Sequence, residues 1–213
     1  FDVIELLHAS SGSEWLYFLA SPDDPTRRYL YRARKDGSAL ARVTPADAAG
    51  SHAYAISSDG RWAIHTASSL DDPPRIELVS LPDHRSGKVL EDNAELRKKL
   101  AALDREPTEF YRLKIAGGPP LDGWLIRPPR MEAGKKYPLI VFVYGEPAGQ
   151  TVADVWSPRH HWWHVMLAQR GYAVASFDNR GARAPRGREW RKSVYRQVGS
   201  LGPADQAAAL QAF

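Results

Sequence analysis

Along the first 92 residues the apolar positions come in short bursts, Trp15–Ala20, Tyr29–Ala33, Ala53–Ile56, Trp62–Ala67 and Ile76–Leu81, separated by Asp-Pro, Asp-Gly, Ser-Gly and Pro-Pro breakers. Bursts this short between turn formers predict β-strands rather than helices. The pattern also repeats. Trp15-Leu-Tyr-Phe-Leu-Ala-Ser, an Asp-Asp-Pro loop and Arg28-Tyr-Leu-Tyr recur as Trp62-Ala-Ile-His-Thr-Ala-Ser, a second Asp-Asp-Pro and Arg75-Ile-Glu-Leu, at an offset of 47 residues with one slip at the loop. A period in the forties with about four strands per unit is the size of a β-propeller blade. The alternative is an isolated antiparallel sheet with chance similarity. Two blades cannot close a ring, so residues 1–92 either hold the end of a propeller or are not part of one.

At Asn93 the period changes. Leu96, Leu100 and Leu103 share one helical face and Glu95 stands four before Lys99, which predicts a helical linker over 93–105. Glu106-Pro107 ends it, because proline pushes its predecessor out of helical geometry. Phe110–Ile115 and Leu121–Ile126 read as a hairpin around Gly117-Gly-Pro-Pro120. Leu139–Val143 is an unbroken apolar run rich in β-branched residues, the mark of a strand covered on both faces. Tyr144 ends that strand, and Gly145, Pro147 and Gly149 turn the chain out over the carboxyl end of the sheet, where α/β proteins bind ligands. A phenol held there can donate a hydrogen bond into a pocket. A helix over Trp162–Arg170 stopped by Gly171, a strand over Tyr172–Phe177 leading into Asp178-Asn-Arg-Gly181, and a helix from Gly202 to Phe213 with proline in its first turn complete the pattern. Alternating strand and helix is how a doubly wound sheet begins.

Composition narrows the classes. With 213 residues, 43% hydrophobic, the chain has material for one large or two ordinary cores. A net charge of +4, from 29 basic and 25 acidic residues, is too mild to indicate nucleic-acid binding. The absence of cysteine removes disulfides and thiolate metal sites. No apolar run approaches the roughly 18 residues that span a bilayer. Phe1 is not an initiator methionine and no signal-like segment follows, so the chain reads as an internal piece with any targeting segment upstream.

Taken together, the two blades, the linker, Tyr137-Pro-Leu-Ile-Val-Phe-Val-Tyr-Gly-Glu-Pro-Ala-Gly-Gln150, Leu167-Ala-Gln-Arg-Gly-Tyr-Ala-Val-Ala-Ser-Phe-Asp-Asn-Arg-Gly181, Arg186-Gly-Arg and Gly202-Pro-Ala-Asp-Gln206 resemble the prolyl oligopeptidase family of serine peptidases, closest to its dipeptidyl peptidase IV branch. The resemblance implies a mixed β and α/β fold: the end of a β-propeller, about two blades over 1–92, a linker over 93–105, and the start of an α/β-hydrolase domain over 106–213. It implies a Ser-His-Asp triad with the serine in a Gly-x-Ser-x-Gly elbow. No such elbow occurs in these residues, so nucleophile, acid and base are expected beyond Phe213, and the chain alone is expected to be inactive. Tyr144 aligns with the family's oxyanion-hole tyrosine. A placed O–H there stabilises the charge that grows on the tetrahedral carbonyl oxygen; a tyrosine that merely closes a strand is the structural alternative. The family usually has Tyr-Gly-Gly-Pro, and here Glu146 takes the place of the second glycine. Its carboxylate is expected to point away, with pairing to Arg180 or a changed site as the other options.

The implied partner is a peptide substrate cleaved after a short N-terminal segment ending in proline or alanine, through an acyl-enzyme, with no cofactor. The resemblance allows a homodimeric parent in the periplasm or outside the cell. A non-enzymatic interaction protein on the same scaffold is the competing class. His160, His161 and His164 have helical spacing but lie among Trp162 and Trp163 without the glutamate of a His-Glu-x-x-His motif, so a packed aromatic helix start is expected rather than a metal site. Arg180, Arg183, Arg186, Arg188, Arg191, Lys192 and Arg196 form a basic stretch around Trp190 and Tyr195, expected to be a solvated, partly helical segment rather than a nucleic-acid grip. Asp23, Asp24, Asp71 and Asp72 read as turn formers rather than a calcium site.

Overall fold

The computed structural model describes residues 2–9 and 12–213, in two compact units. The first comprises residues 1–101 together with Asp154–Trp156. Its strands β1 (Val3–His8), β2 (Trp15–Ala20), β3 (Tyr29–Arg34) and β4 (Ala41–Arg42) form one antiparallel sheet in that order. Strands β5 (Ser51–Ile56), β6 (Trp62–Ser68), β7 (Arg75–Ser80) and β8 (Ser86–Glu91) form the second in the same way. The sequence repeat is thus a repeat of four-stranded meanders, with β6 and β7 answering β2 and β3. Strands β1, β4 and β8 escaped the apolar pattern for a physical reason: β8 is exposed along its length, β1 along most of its own, and β4 is two residues long. Tyr17, Leu19, Leu30 and Val43 pack with Tyr54, Ala63, Val79 and Leu81, so both sheets share one core.

The Asp-Asp-Pro loops are turns, as expected. Asp24 accepts from the amide and hydroxyl of Thr26 at 2.9 and 2.7 Å, and Asp72 pairs with Arg97. Helix α1 (Ala94–Ala101) buries nothing and is tied back through Arg97 to the carbonyls of Asp92 and Pro73. Asp154 is buried against both turns, accepting from Arg27 Nε at 3.1 Å and the Leu70 amide at 3.0 Å. Burial, opposed by those donors, raises its carboxyl above the ordinary range.

Between the sheets runs a buried polar lattice. Thr44 Oγ1 takes the Leu30 amide at 2.8 Å and meets Tyr54 Oη at 2.9 Å, which in turn meets His84 Nε2 at 2.8 Å. His52 Nδ1 lies 2.9 Å from His65 Nε2, and His65 Nδ1 lies 3.2 Å from Glu77. The rings of Tyr29, His52, His65 and Tyr54 stack in sequence, with Arg42 over Tyr29. Burial first, then the neighbouring imidazoles, lowers His52 to about 3 and His65 to about 4.

The second unit holds a mixed sheet of β9 (Glu109–Leu113), β10 (Leu121–Ile126), β11 (Leu139–Val141) and β12 (Ala173–Asp178), in the order β11-β12-β10-β9. The hairpin is antiparallel, β10 pairs antiparallel with β12, and β11 runs parallel to β12 with helix α2 (Pro158–Gln169) as the crossover. Helix α2 starts four residues before the predicted Trp162, because Pro158 takes its first turn. Helices α3 (Arg188–Lys192) and α4 (Leu201–Ala212) follow. Ile115, Leu121, Leu125, Ala175, Phe177, Trp190 and Ala209 form the core. The expectation for Leu139–Val143 is corrected: regular pairing stops at Val141, and Leu139 and Val143 are 37% and 44% exposed. Among the described residues strand β11 has one neighbour, so its apolar run lies at the edge of this four-stranded sheet. The strand buried throughout is β10, whose pattern is broken by Asp122, paired with Arg112 at 2.7 Å.

Neutral, buried histidines fix the sign of the acid response. Their ordinary value is about 6.5, so their contribution is complete above it and is lost as pH falls toward about 4. Denaturation midpoints of the chain should decline across that window, and His52→Gln, which cannot take up a proton, should flatten the decline. An unchanged slope in the variant would place the acid sensitivity elsewhere.

Candidate active site

Beyond β11 the Phe142 amide still reaches the Ala175 carbonyl at 2.8 Å, and then the chain leaves the sheet as the loop 143–150. Gly145 adopts φ +80°, open to glycine at little cost. At Gly149 a Cβ would lie 2.4 Å from the Tyr144 ring, so the missing side chain is what lets that ring lie across the backbone. Tyr144 is 53% exposed, and its hydroxyl bonds no other described residue. The phenol therefore stands in solvent at the carboxyl end of the sheet.

The loop is held from β12 and the turn after it. Ser176 Oγ donates to the Phe142 carbonyl at 2.6 Å, where the loop begins. Where it ends, Asp178 accepts from the Thr151 amide at 2.9 Å and the Val152 amide at 3.3 Å, and its Oδ1 lies 3.1 Å from the Thr151 hydroxyl. Trp124 Nε1 donates to the Thr151 carbonyl at 2.9 Å, and the Arg183 amide to that of Gly149 at 2.9 Å. Asp178 is buried, and the loss of water outweighs its donors, raising it to about 6.

Helix α4 is locked to the same turn. Asp205, 1% exposed, accepts from the Arg180 amide at 2.8 Å and from its guanidinium at 2.7 to 3.1 Å. Gln206 Nε2 donates to the Phe177 carbonyl at 2.8 Å. A Cβ on Gly202 would come within 3.2 Å of the Gly145 carbonyl, so the start of α4 lies against the loop that carries Tyr144.

Arg180 is thereby committed to Asp205, which removes it as the partner of Glu146. Glu146 is exposed and makes no ion pair among the described residues, in keeping with the expectation that it points away. The three histidines lie apart in role. His160 and His164 pack on Phe142 at 5.4 and 4.9 Å between ring centres, burial lowers His164 to about 4, and His161 is edge-on to Trp162. Among the described residues no cluster of three or more His, Cys, Asp or Glu could hold a metal ion. In the basic stretch, Trp190 is buried with Nε1 on the Ala182 carbonyl at 2.9 Å, so it offers no face for stacking on a base. Arg186 lies over that ring at 3.8 Å and donates to the Pro120 carbonyl at 2.7 Å. No described helix is long and apolar enough to cross a membrane.

Comparison with known proteins agrees with this geometry. The profile of the dipeptidyl peptidase IV N-terminal region matches residues 1–74, and that of the prolyl oligopeptidase family matches residues 158–213. The crystal structure of Porphyromonas gingivalis dipeptidyl peptidase 4 superposes over 99% of this chain and 29% of its own, with a TM-score of 0.89 and 30% identity. The chain belongs to the prolyl oligopeptidase family. Among curated relatives, a probable dipeptidyl-aminopeptidase B of Emericella nidulans is 31% identical over 78% of the chain and 18% of its own length. A probable dipeptidyl peptidase 4 of Arthroderma benhamiae is 25% identical over 98% of the chain and 27% of its own. This member of the family therefore spans less than a third of the length of the relatives it matches, and its fold is two propeller blades with an α/β-hydrolase sheet.

Asp178, Thr151, Ser176 and Asp205 carry the architecture of the site, yet none was singled out from the sequence. Their signal was partly visible: Asp178-Asn-Arg-Gly181 and Gly202-Pro-Ala-Asp-Gln206 are among the stretches that carry the family resemblance, and each supplies one buried carboxyl. Removing the cation from the Arg180–Asp205 pair leaves a buried carboxylate uncompensated, at a cost of about 3–5 kcal/mol. Arg180→Ala should lose that order of unfolding free energy in denaturant titration; a loss below about 1 kcal/mol would make the pair a surface-type bridge.

Proposed function

We propose that this chain is part of a serine exopeptidase that releases short N-terminal peptides, dipeptides ending in proline or alanine, through an acyl-enzyme, and that Tyr144 is an oxyanion-hole donor in it. On this reading residues 1–92 are C-terminal propeller blades, 93–105 a helical linker and 106–213 the N-terminal part of the peptidase domain. The serine, histidine and aspartate of the triad come from residues outside these 213. The single observation that carries the proposal is an exposed tyrosine hydroxyl without a protein partner, on a loop held at the carboxyl end of a hydrolase-type sheet. The names of the relatives, dipeptidyl peptidase 4 and dipeptidyl-aminopeptidase B, support the substrate class.

The chemistry asks for such a donor. When the serine adds to the scissile carbonyl, the oxygen gains nearly a full charge. A phenol already in place stabilises that charge more than it stabilises the neutral carbonyl, so it accelerates the step instead of tightening the ground state. In the full-length peptidase Tyr144→Phe should lower kcat by about 10² to 10³ with KM nearly unchanged. Turnover equal to wild type would remove Tyr144 from the mechanism. Chromogenic dipeptides ending in proline or alanine should be cleaved by the same protein; failure to cleave either would favour a non-enzymatic role for the scaffold.

A further inference from the structure

We propose that Asp178, Thr151 and Ser176 form a hydrogen-bonded chain that closes the base of the Tyr144 loop and so positions the tyrosine hydroxyl. The proposal rests on the oxyanion reading of Tyr144. The loop leaves the sheet at Phe142 and returns at Thr151, and three oxygen–oxygen contacts join these points to β12. Asp178 Oδ1 is 3.1 Å from Thr151 Oγ1, Thr151 Oγ1 is 2.8 Å from Ser176 Oγ, and Ser176 Oγ is 2.6 Å from the Phe142 carbonyl oxygen.

Each contact needs one hydrogen, and the two hydroxyls supply only two. With Asp178 ionised, one contact is left with facing lone pairs. With Asp178 protonated the count closes: the acid donates to Thr151, Thr151 to Ser176, and Ser176 to the Phe142 carbonyl. The backbone amides of Thr151 and Val152 still find acceptors on Oδ1 and Oδ2 at 2.9 and 3.3 Å. The surroundings favour the neutral acid. Asp178 is 4% exposed and sits directly across the ladder from Asp122, a like charge. The nearby cations pair with Asp122, Arg112 Nε 2.7 Å from its Oδ1 and Arg186 Nη1 3.7 Å from its Oδ2, and Arg186 attracts Asp178 more weakly than Asp122.

Closing the loop buries this acid, and opening it returns the acid to water, where carboxyls titrate near about 4. Protonation therefore favours the closed loop, and the closed fraction grows as pH falls through about 6. Asparagine cannot stand in for the neutral acid, because its NH₂ group would face either the Thr151 or the Val152 amide. Thr151→Val and Ser176→Ala break the chain while leaving both amide contacts to Asp178 in place.

The test uses the full-length peptidase. Thr151→Val and Ser176→Ala should each lower kcat by about ten- to a hundredfold, the scale of small misplacements, with KM and melting temperature nearly unchanged. Neither should cost anything further in a Tyr144→Phe background. Hydrogen exchange across 143–152, corrected for intrinsic rates, should slow as pH falls through about 6 in the wild type and be faster at every pH in Thr151→Val. Losses that persist undiminished beside Tyr144→Phe, a fall in KM or melting temperature that tracks kcat, or exchange indifferent to Thr151→Val would each overturn the chain's positioning role. If Tyr144→Phe alone leaves turnover unchanged, the oxyanion reading fails, and the exchange measurement still decides whether the chain holds the loop.

Discussion

A carboxyl group buried in a protein interior persists in one of two ways, beside a fixed cation or without its charge. Around the end of β12 one carboxyl takes the first course, and another, without a cation of its own, is pushed toward the second. Asp205 keeps a guanidinium in bidentate contact, and its Arg180 partner also lends a backbone amide. Asp178, across from Asp122, has two amides and a hydroxyl but no cation of its own. These two solutions lie on either side of a single turn, 179–183. One ties α4 to it, and the other ties it to the loop that carries Tyr144. Both elements beside the candidate catalytic phenol are thus tied to one strand end as well as lying against each other, so the placement of the phenol depends on how that strand end satisfies its acids.

The blade unit meets the same constraint differently. Its buried polar groups are mostly imidazoles and hydroxyls that can be neutral at ordinary pH, and they need no cation. Stacked rings of Tyr29, His52, His65 and Tyr54 fill the space between sheets that larger aliphatic side chains would otherwise occupy. Such a lattice joins the two meanders through polar and aromatic contacts beside the shared apolar core.

What the sequence disclosed follows from the same physics. Strands β2, β3, β6, β7, β10 and β12 were legible because apolar faces between turn formers leave a period. Strands β1 and β8 were not, because edge strands with exposed faces carry none. The reading of Leu139–Val143 went wrong since an apolar run reports the tendency to be covered, whereas coverage depends on neighbours, and β11 has one. Tyr144 stood out through family resemblance, but its supports did not. Ser176 and Thr151 are ordinary residues whose value lies in a proton count across a loop and a strand, and no spacing rule encodes that.

The same reasoning explains how glutamate is accommodated where the family has glycine. Of the three neighbouring positions, Gly145 takes the left-handed backbone and Gly149 takes the contact with the Tyr144 ring, so each forbids a side chain for a stated reason. Position 146 has neither demand: Glu146 is absent from the residues with positive φ, and its side chain is exposed. A carboxylate in water is screened by a dielectric far above that of an interior and by mobile ions within about 10 Å. Its repulsion of a charge forming at the phenol is correspondingly weak. Glycine at this position is therefore dispensable for the shape of the loop, and the chemistry proposed for Tyr144 survives the substitution as long as the loop keeps Glu146 turned outward, which the tie of Gly149 to Arg183 on its far side helps to maintain.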